Sequence, residues 1–140
     1  MNCVVDLIEE LKSRYGGLIP FRQICADEGI IAAKAPMEDG VHGIYITSNG
    51  HRVILLNAKI KHSERRDRAF HELGHHFRSV SDGRPQYHRD RRDERRAELF
   101  AALCRIPGVR DGDDVQDLVD RYSVSPALAR LRLEYEQRRI

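Results

Sequence analysis

Residues 69–77 read Ala-Phe-His-Glu-Leu-Gly-His-His-Phe. The apolar residues of this stretch recur at spacings of three and four, which is the period of a helix with one buried face. The same period places His71 and His75 on one side of the helix, where two imidazoles can bind one metal ion. Glu72 lies beside them, in position to take a proton from a water on that metal. The stretch therefore predicts a metal-binding helix.

Two imidazoles need a further protein ligand, because catalytic zinc sites use three ligands and leave the fourth position to water. The predicted helix over 90–105 carries the candidates, since Glu94 and Glu98 lie one turn apart on one face. We favour Glu94 as the ligand, with Glu98 accepting a hydrogen bond from the outer ring nitrogen of a metal-bound histidine. The alternatives are Glu98 as the ligand, or both carboxylates as exposed partners of neighbouring arginines.

The elements around these two helices follow from changes in the hydrophobic period. They are a helix from Val4 that stops at Gly16, a helix from Pro20 to Gly29, strands over 29–35, 43–47 and 52–56, and helices over 63–80, 90–105, 113–122 and 126–138. The Asn-Gly pair at 49–50 predicts a hairpin between the second and third strands. This order predicts one α+β domain over residues 1–140, with N-terminal helices, a small three-stranded sheet that is mostly antiparallel or mixed, and a helical core around the metal site.

Composition limits the class of protein. The chain has 140 residues, the size of one domain, and a net charge of +2, which gives little reason to expect a nucleic-acid partner. No apolar run reaches the ~18 to 20 residues that cross a bilayer, and the N-terminus lacks the features of a signal peptide. Three cysteines without C-x-x-C spacing indicate buried, reduced thiols. We therefore expect a cytoplasmic protein without a membrane partner, and we rank nucleic-acid binding through the arginine-rich run 84–96 as a weak alternative.

Several motifs, in order, resemble the ImmA/IrrE family of small metallopeptidases. A strand ending in Asn57 leads through an arginine-bearing turn to the H-E-L-G-H helix. The next helix begins E-x-x-A at Glu94 and continues through Phe-Ala-Ala to Pro107, with Glu98 where the family generally has Asn. The spacing of the two glutamates also resembles the E-x-x-x-D pattern of gluzincin metallopeptidases, with Glu in place of Asp. The closing segment 122–131 is similar to the family's last helix.

The resemblance implies a zinc-dependent endopeptidase with one Zn²⁺ per chain, in which His71, His75 and Glu94 bind the metal and Glu72 is the general base. The same ligands would also accept Mn²⁺. The implied substrate is a protein, a DNA-binding transcriptional repressor encoded nearby, cleaved in a stress response or in the regulation of a phage or other mobile element. The alternative function is a metal-stabilised anti-repressor module that binds its target without proteolysis.

The group that stabilises the oxyanion is not fixed by spacing. The candidates for oxyanion or substrate contacts are Tyr87, His88, His42, Asn57 and nearby arginine side chains. Because the strand 52–57 directly precedes the metal helix, we expect its edge to pair with an extended substrate segment. We place Tyr122 in the core, and His76 either at the surface or in support of a metal ligand.

Overall fold

The computed structural model describes residues 4–82 and 90–139, apart from the side chains of residues 81 and 82. Its elements are α1 Val4–Tyr15, α2 Phe21–Glu28, β1 Ile30–Ala35, β2 Gly43–Ser48, β3 His51–Asn57, α3 His62–Asp82, α4 Arg91–Arg105, α5 Val115–Tyr122 and α6 Pro126–Arg138. These six helices and three strands follow the predicted order and form the predicted α+β fold. No helix of the described ranges is long and apolar enough to span a bilayer.

The sheet has the strand order β1-β3-β2 and is mixed rather than mostly antiparallel. β2 and β3 form the predicted hairpin, in which Asn49 and Gly50 have φ of 51° and 80°. A two-residue turn of this kind requires positive φ at both positions. β1 runs parallel to β3, because the hairpin returns β3 into the space between β1 and β2. Two successive reversals of the chain therefore leave β1 and β3 pointing the same way.

The start of α4 is fixed by a reciprocal cap. The side chain of Asp90 accepts a hydrogen bond from the backbone N–H of Asp93 at 2.9 Å, and the side chain of Asp93 accepts one from the backbone N–H of Asp90 at 3.3 Å. These contacts satisfy two donors that a helix start otherwise leaves open. Glu94 is the next residue, so the cap sets the direction in which its side chain leaves the helix.

α3 packs directly against α4 through the centre of the molecule. Leu73 of α3 and Phe100 of α4 are at most 1% exposed. Gly74 lies at the closest approach, since a Cβ atom there would be 3.1 Å from the Cα of Ala97 and 3.2 Å from the ring of Phe100. The glycine therefore sets the distance between the helix that carries His71 and His75 and the helix that carries Glu94.

Replacing Gly74 with leucine should separate these two helices. Adding a side chain to a filled interface typically costs about 1–3 kcal/mol, and here it also moves a carboxylate away from two imidazoles. We expect Gly74→Leu to unfold at a lower temperature in EDTA and to bind zinc more weakly. Gly17→Leu is the matched control, because a Cβ at Gly17 meets no atom within 4 Å. Wild-type zinc affinity in Gly74→Leu would contradict this account of the glycine.

The C-terminal helices are joined to α3 and α4 through Asp67. One of its carboxylate oxygens accepts from Nε of Arg105 at 3.0 Å, and the other accepts from the backbone N–H of Ser125, the N-cap of α6, at 2.9 Å. Tyr122 packs on the same core, and its hydroxyl donates to the carbonyl of Gly108 at 2.9 Å. The prediction that Tyr122 is a core residue is confirmed.

Two of the three cysteines are buried and free, as predicted. Burial raises the pKa of Cys25 to about 11, and it also raises the pKa of Cys104. Both thiols are therefore protonated at neutral pH and are poor nucleophiles. Cys3 lies outside the described residues.

The turn before α5 contains a carboxylate whose charge contributes to stability. Both guanidinium Nη atoms of Arg121 donate to Asp113 at 2.7 Å, and these bonds, with the backbone N–H of Arg110, lower the pKa of Asp113 to about 2. A carboxyl group with a lowered folded-state pKa stabilises the fold above its unfolded pKa, and the effect disappears as the pH falls toward the folded value. The contribution of Asp113 should therefore be lost between about pH 4 and pH 2.

We expect Asp113→Asn to lower the Tm at neutral pH and to reduce the loss of Tm on acidification over that interval. Thermal unfolding followed by circular dichroism from pH 7 to pH 2 measures both effects. Asp111→Asn, at an exposed neighbouring position, is the control. Parallel acid profiles for wild type and Asp113→Asn would contradict the assignment.

Candidate metal centre

Three side chains from α3 and α4 converge on one point. Nε2 of His71 lies 3.0 Å from Oε2 of Glu94, and Nε2 of His75 lies 3.0 Å from Oε1 of the same carboxylate. The two imidazole rings are 4.9 Å apart between centroids, as expected for residues one helical turn apart. One donor atom from each residue lies within 4.8 Å of the others. Of the two predicted glutamates, it is Glu94 that the structure brings to the histidines.

The donor set fits a divalent metal ion. Two imidazoles and one carboxylate form a common catalytic zinc set, with a position left for water. His71 and His75 are 7% and 3% exposed, whereas the Glu94 side chain is 41% exposed. Protein therefore encloses the site on the histidine side, and the glutamate side is open to solvent. An ion held here would be accessible to an incoming ligand.

Glu72 lies beside this cluster and is fully buried. Its Oε2 is 2.6 Å from Nε of Arg68, one turn earlier on α3. A buried carboxylate is costly unless a cation or hydrogen-bond donors compensate its charge, and Arg68 supplies that charge. Nη2 of Arg68 also donates to the carbonyl of Gly43, the first residue of β2, at 3.2 Å. Arg68 thus joins the predicted general base to the sheet.

Comparison with models of known protein families shows the family to which this chain belongs. The model of peptidase family M78, described as the IrrE N-terminal-like domain, matches residues 25–134. The chain belongs to this family. The predicted resemblance is confirmed, and membership in a metallopeptidase family agrees with the cluster of His71, His75 and Glu94. No curated protein sequence matches the chain.

Arg68 is absent from the predicted site residues of this family member. The sequence indicates this pairing, because an arginine four residues before a glutamate on a helix is placed to contact that glutamate. Gly43 explains why the arginine fits. A Cβ atom at Gly43 would lie 3.0 Å from Cγ of Arg68 and 2.9 Å from a methyl group of Leu56. Only glycine leaves room for the Arg68 side chain to pass β2.

A cleft of about 580 Å³ adjoins the metal centre. His71 and Arg68 line one side of it, and residues of α6 line another. Two further predicted residues, His42 and Glu98, also line this cleft. His42 is half-buried, which places an imidazole on the wall of this cleft.

Glu98 does not take its predicted role in the structure. Its side chain is exposed, and within the described residues no hydrogen bond joins it to His71 or His75. The structure places Glu98 on the exposed wall of the cleft, where its carboxylate is solvated.

Asn57 is buried, and its side chain forms hydrogen bonds with backbone groups around it. Its Oδ1 accepts from the N–H groups of Met37 and Lys59 at 3.3 and 3.0 Å, and its Nδ2 donates to the carbonyl of Val41 at 2.7 Å. Its own N–H donates to the carbonyl of His42 at 2.9 Å. These bonds fix the segment that carries His42, and the contact of Asn57 with a substrate stays a prediction.

The prediction that a substrate pairs with the edge of β3 is wrong. β3 is the central strand, with β1 on one side and β2 on the other. Its backbone groups are therefore used within the sheet. Among the described strands, only β1 and β2 have an outer edge.

His76 is neither a surface residue nor a support for a metal ligand. It is fully buried, with Nδ1 at 2.8 Å from the hydroxyl of Tyr45 and Nε2 at 2.8 Å from a carboxylate oxygen of Glu28. Burial lowers its pKa, and the hydrogen bond to Glu28 opposes that effect. The imidazole joins α3 to β2 and α2, on the side of the helix away from the metal centre.

Two further candidates for the oxyanion, Tyr87 and His88, lie outside the described residues. Of the histidine and tyrosine candidates, His42 is thus the one that the described part of the chain places on the cleft.

Proposed function

We propose that this chain is a zinc-dependent endopeptidase that cleaves a protein substrate. The observation that carries the proposal is the convergence of His71, His75 and Glu94 on one point, next to the buried carboxylate of Glu72 and beside an open cleft. Membership in a metallopeptidase family supports the same reaction class.

In this proposal the three converging side chains hold the ion, and Glu72 moves the protons. Zinc bound there supplies a Lewis acid that acidifies the attacking water and polarises the scissile carbonyl. Glu72 takes a proton from the water and gives it to the leaving amine. Arg68 holds the carboxylate of Glu72 in place through their 2.6 Å contact, and His42 is the proposed donor to the oxyanion.

The proposed substrate is a DNA-binding transcriptional repressor encoded near this chain. The resemblance to the ImmA/IrrE family supports this choice, as does the cleft, which is open along α3, α4 and α6 and can receive an exposed protein segment. We place the reaction in a stress response or in the control of a phage or other mobile element. Zinc is the proposed metal, and Mn²⁺ is the alternative for the same donors.

A cleavage assay tests this proposal. The purified chain, loaded with zinc or manganese, is incubated with the neighbouring repressor, and the fragments are identified by mass spectrometry. We expect discrete fragments that disappear in EDTA and return when metal is restored. An intact repressor with either metal would contradict the proposal.

One observation favours a second function, an anti-repressor that binds its target without cutting it. Glu72 is fully buried against Arg68 rather than exposed on the cleft. A binding module would need the metal only to stabilise its fold. In that case repressor release should continue when Glu72 is replaced by glutamine.

A further inference from the structure

A second concave surface lies on another face of α3. This groove, of about 440 Å³, is formed by α2, β1 and the first turns of α3. Its polar lining is almost entirely basic. The basic side chains are Arg22, Lys34, His62, Arg65 and Arg66. Among the described residues that line it, none is an aspartate or a glutamate.

The helix α3 separates this basic groove from the metal cleft. His62, Arg66 and Ala69 recur at spacings of four and three and face the groove, whereas Glu64 and His71 line the cleft. The two sets follow adjacent stripes of one helix. A molecule in the groove would therefore lie next to the cleft without occupying the metal centre.

Three basic side chains of the groove form no direct ion pair within the described part of the chain. No ion pair joins Arg22, Lys34 or Arg66 to a carboxylate among the described residues. Arg66 instead lies over the ring of Phe70, at 6.0 Å from its centroid. Partial desolvation lowers the pKa of Arg66, the nearby charges of Arg105 and Arg22 lower it further, and the carboxylate of Asp67 opposes them. Anionic groups entering the groove would relieve this repulsion.

One wall of the groove is β1, which is an edge strand of the sheet. Within the described residues β1 pairs only with β3, so its outer backbone groups have no strand partner. Proteins usually protect such edges with charges, prolines or bulges. The middle of β1 has Ile31, which is 56% exposed, followed by two exposed alanines. Small side chains leave room for another backbone to approach.

We propose that the basic groove docks an acidic, extended segment of a partner protein, which adds as a strand to the outer edge of β1. Its carboxylates would face Arg22, Lys34 and Arg66, and its backbone would satisfy the edge of β1. A peptide fits better than a nucleic acid for two reasons. A strand edge recognises a peptide backbone, and Phe21 is the one Phe, Tyr or Trp in the described lining, too few for stacked bases. The proposal does not depend on peptidase activity.

Fluorescence anisotropy with a labelled peptide of alternating glutamate and valine tests the charge requirement. We expect this peptide to bind, and its affinity to fall as the salt concentration is raised. Its affinity should also exceed that of a lysine-valine peptide of equal length. The double variant Arg22→Glu/Arg66→Glu should weaken binding roughly tenfold or more. Arg91→Glu/Arg92→Glu is the matched control, because it makes the same change in charge at exposed positions of α4. Equal losses in both variants, or no binding at all, would overturn the proposal.

Two modified peptides test strand addition itself. In a strand, the N–H groups of alternate residues point to the same side, so one probe is N-methylated on every glutamate and the other on every valine. Addition to β1 requires that one modification abolish binding and the other leave it largely intact. Equal effects of the two modifications would overturn strand addition.

Two further measurements complete the test. Labelled duplex and single-stranded DNA are titrated under the same conditions. The choice of partner would be overturned if DNA bound more tightly than the acidic peptide and depended in the same way on Arg22 and Arg66. Circular dichroism and zinc affinity of each arginine variant establish that it is folded. Glu72→Gln should bind the acidic peptide like the wild type, so failure of the peptidase proposal would be distinguishable from failure of this one.

Discussion

The Glu72→Gln protein should bind zinc as tightly as the wild type and cleave its substrate about 10²–10⁴-fold more slowly. Glutamine keeps the shape of the side chain but cannot accept a proton at neutral pH. Glu72 is not among the three converging donors, so the metal site should remain intact. The measurement combines a zinc titration with the rate of fragment formation from the repressor.

The matched control for this variant is Glu9→Gln, which makes the same chemical change on the exposed side of α1. It should leave cleavage and zinc affinity unchanged. Because Glu72→Gln leaves Arg68 with a neutral partner, the Tm of the variant is measured in parallel to separate lost chemistry from lost stability. Wild-type cleavage by a folded Glu72→Gln protein would show that the base is another group. Undiminished repressor release without fragments would favour the anti-repressor function.

The His75→Ala protein should lose the dependence of its stability on zinc. A ligand that binds only the folded state adds about 2.7 kcal/mol when its free concentration is about 100 times its Kd. For a domain of this size that corresponds to a rise in Tm of roughly 10 °C. His75 is 3% exposed and supplies one of three protein donors. Removing it leaves two donors, which is insufficient for firm binding.

Calorimetry of both proteins, with zinc and with EDTA, measures this difference. The zinc-dependent rise should be present in the wild type and absent in His75→Ala. His51→Ala is the control, because His51 is an exposed histidine at the hairpin and should leave the rise intact. A full zinc-dependent rise in His75→Ala would place the metal at other residues.

Local features of this fold were predictable from the sequence because short-range physics determines them. The Asn49-Gly50 turn fixed the hairpin, since both positions need positive φ. A spacing of four on a helix placed His71 beside His75, and the apolar period over 90–105 predicted the helix that carries Glu94. The metal centre needed only these two helices to pack together, and the small residues between them indicated that they do.

Features that depend on long-range packing were not predictable in the same way. The parallel pairing of β1 with β3 is determined by where the hairpin returns, which no residue of β1 specifies. His76 was expected at the surface or in support of a metal ligand, because it points away from His75. Residues 69–76 are all buried, however, so α3 has no solvent-facing side at this level. The same enclosure explains why Glu72 needs Arg68: the spacing of four allowed the pairing, and the burial of Glu72 makes it necessary.

Anomalous diffraction at the zinc absorption edge, from crystals of the zinc-loaded protein, tests the metal centre most directly. We expect one strong peak about 2.0–2.2 Å from Nε2 of His71, Nε2 of His75 and a carboxylate oxygen of Glu94. A peak bound by other residues, or no peak near these three side chains, would contradict the assignment of the metal centre.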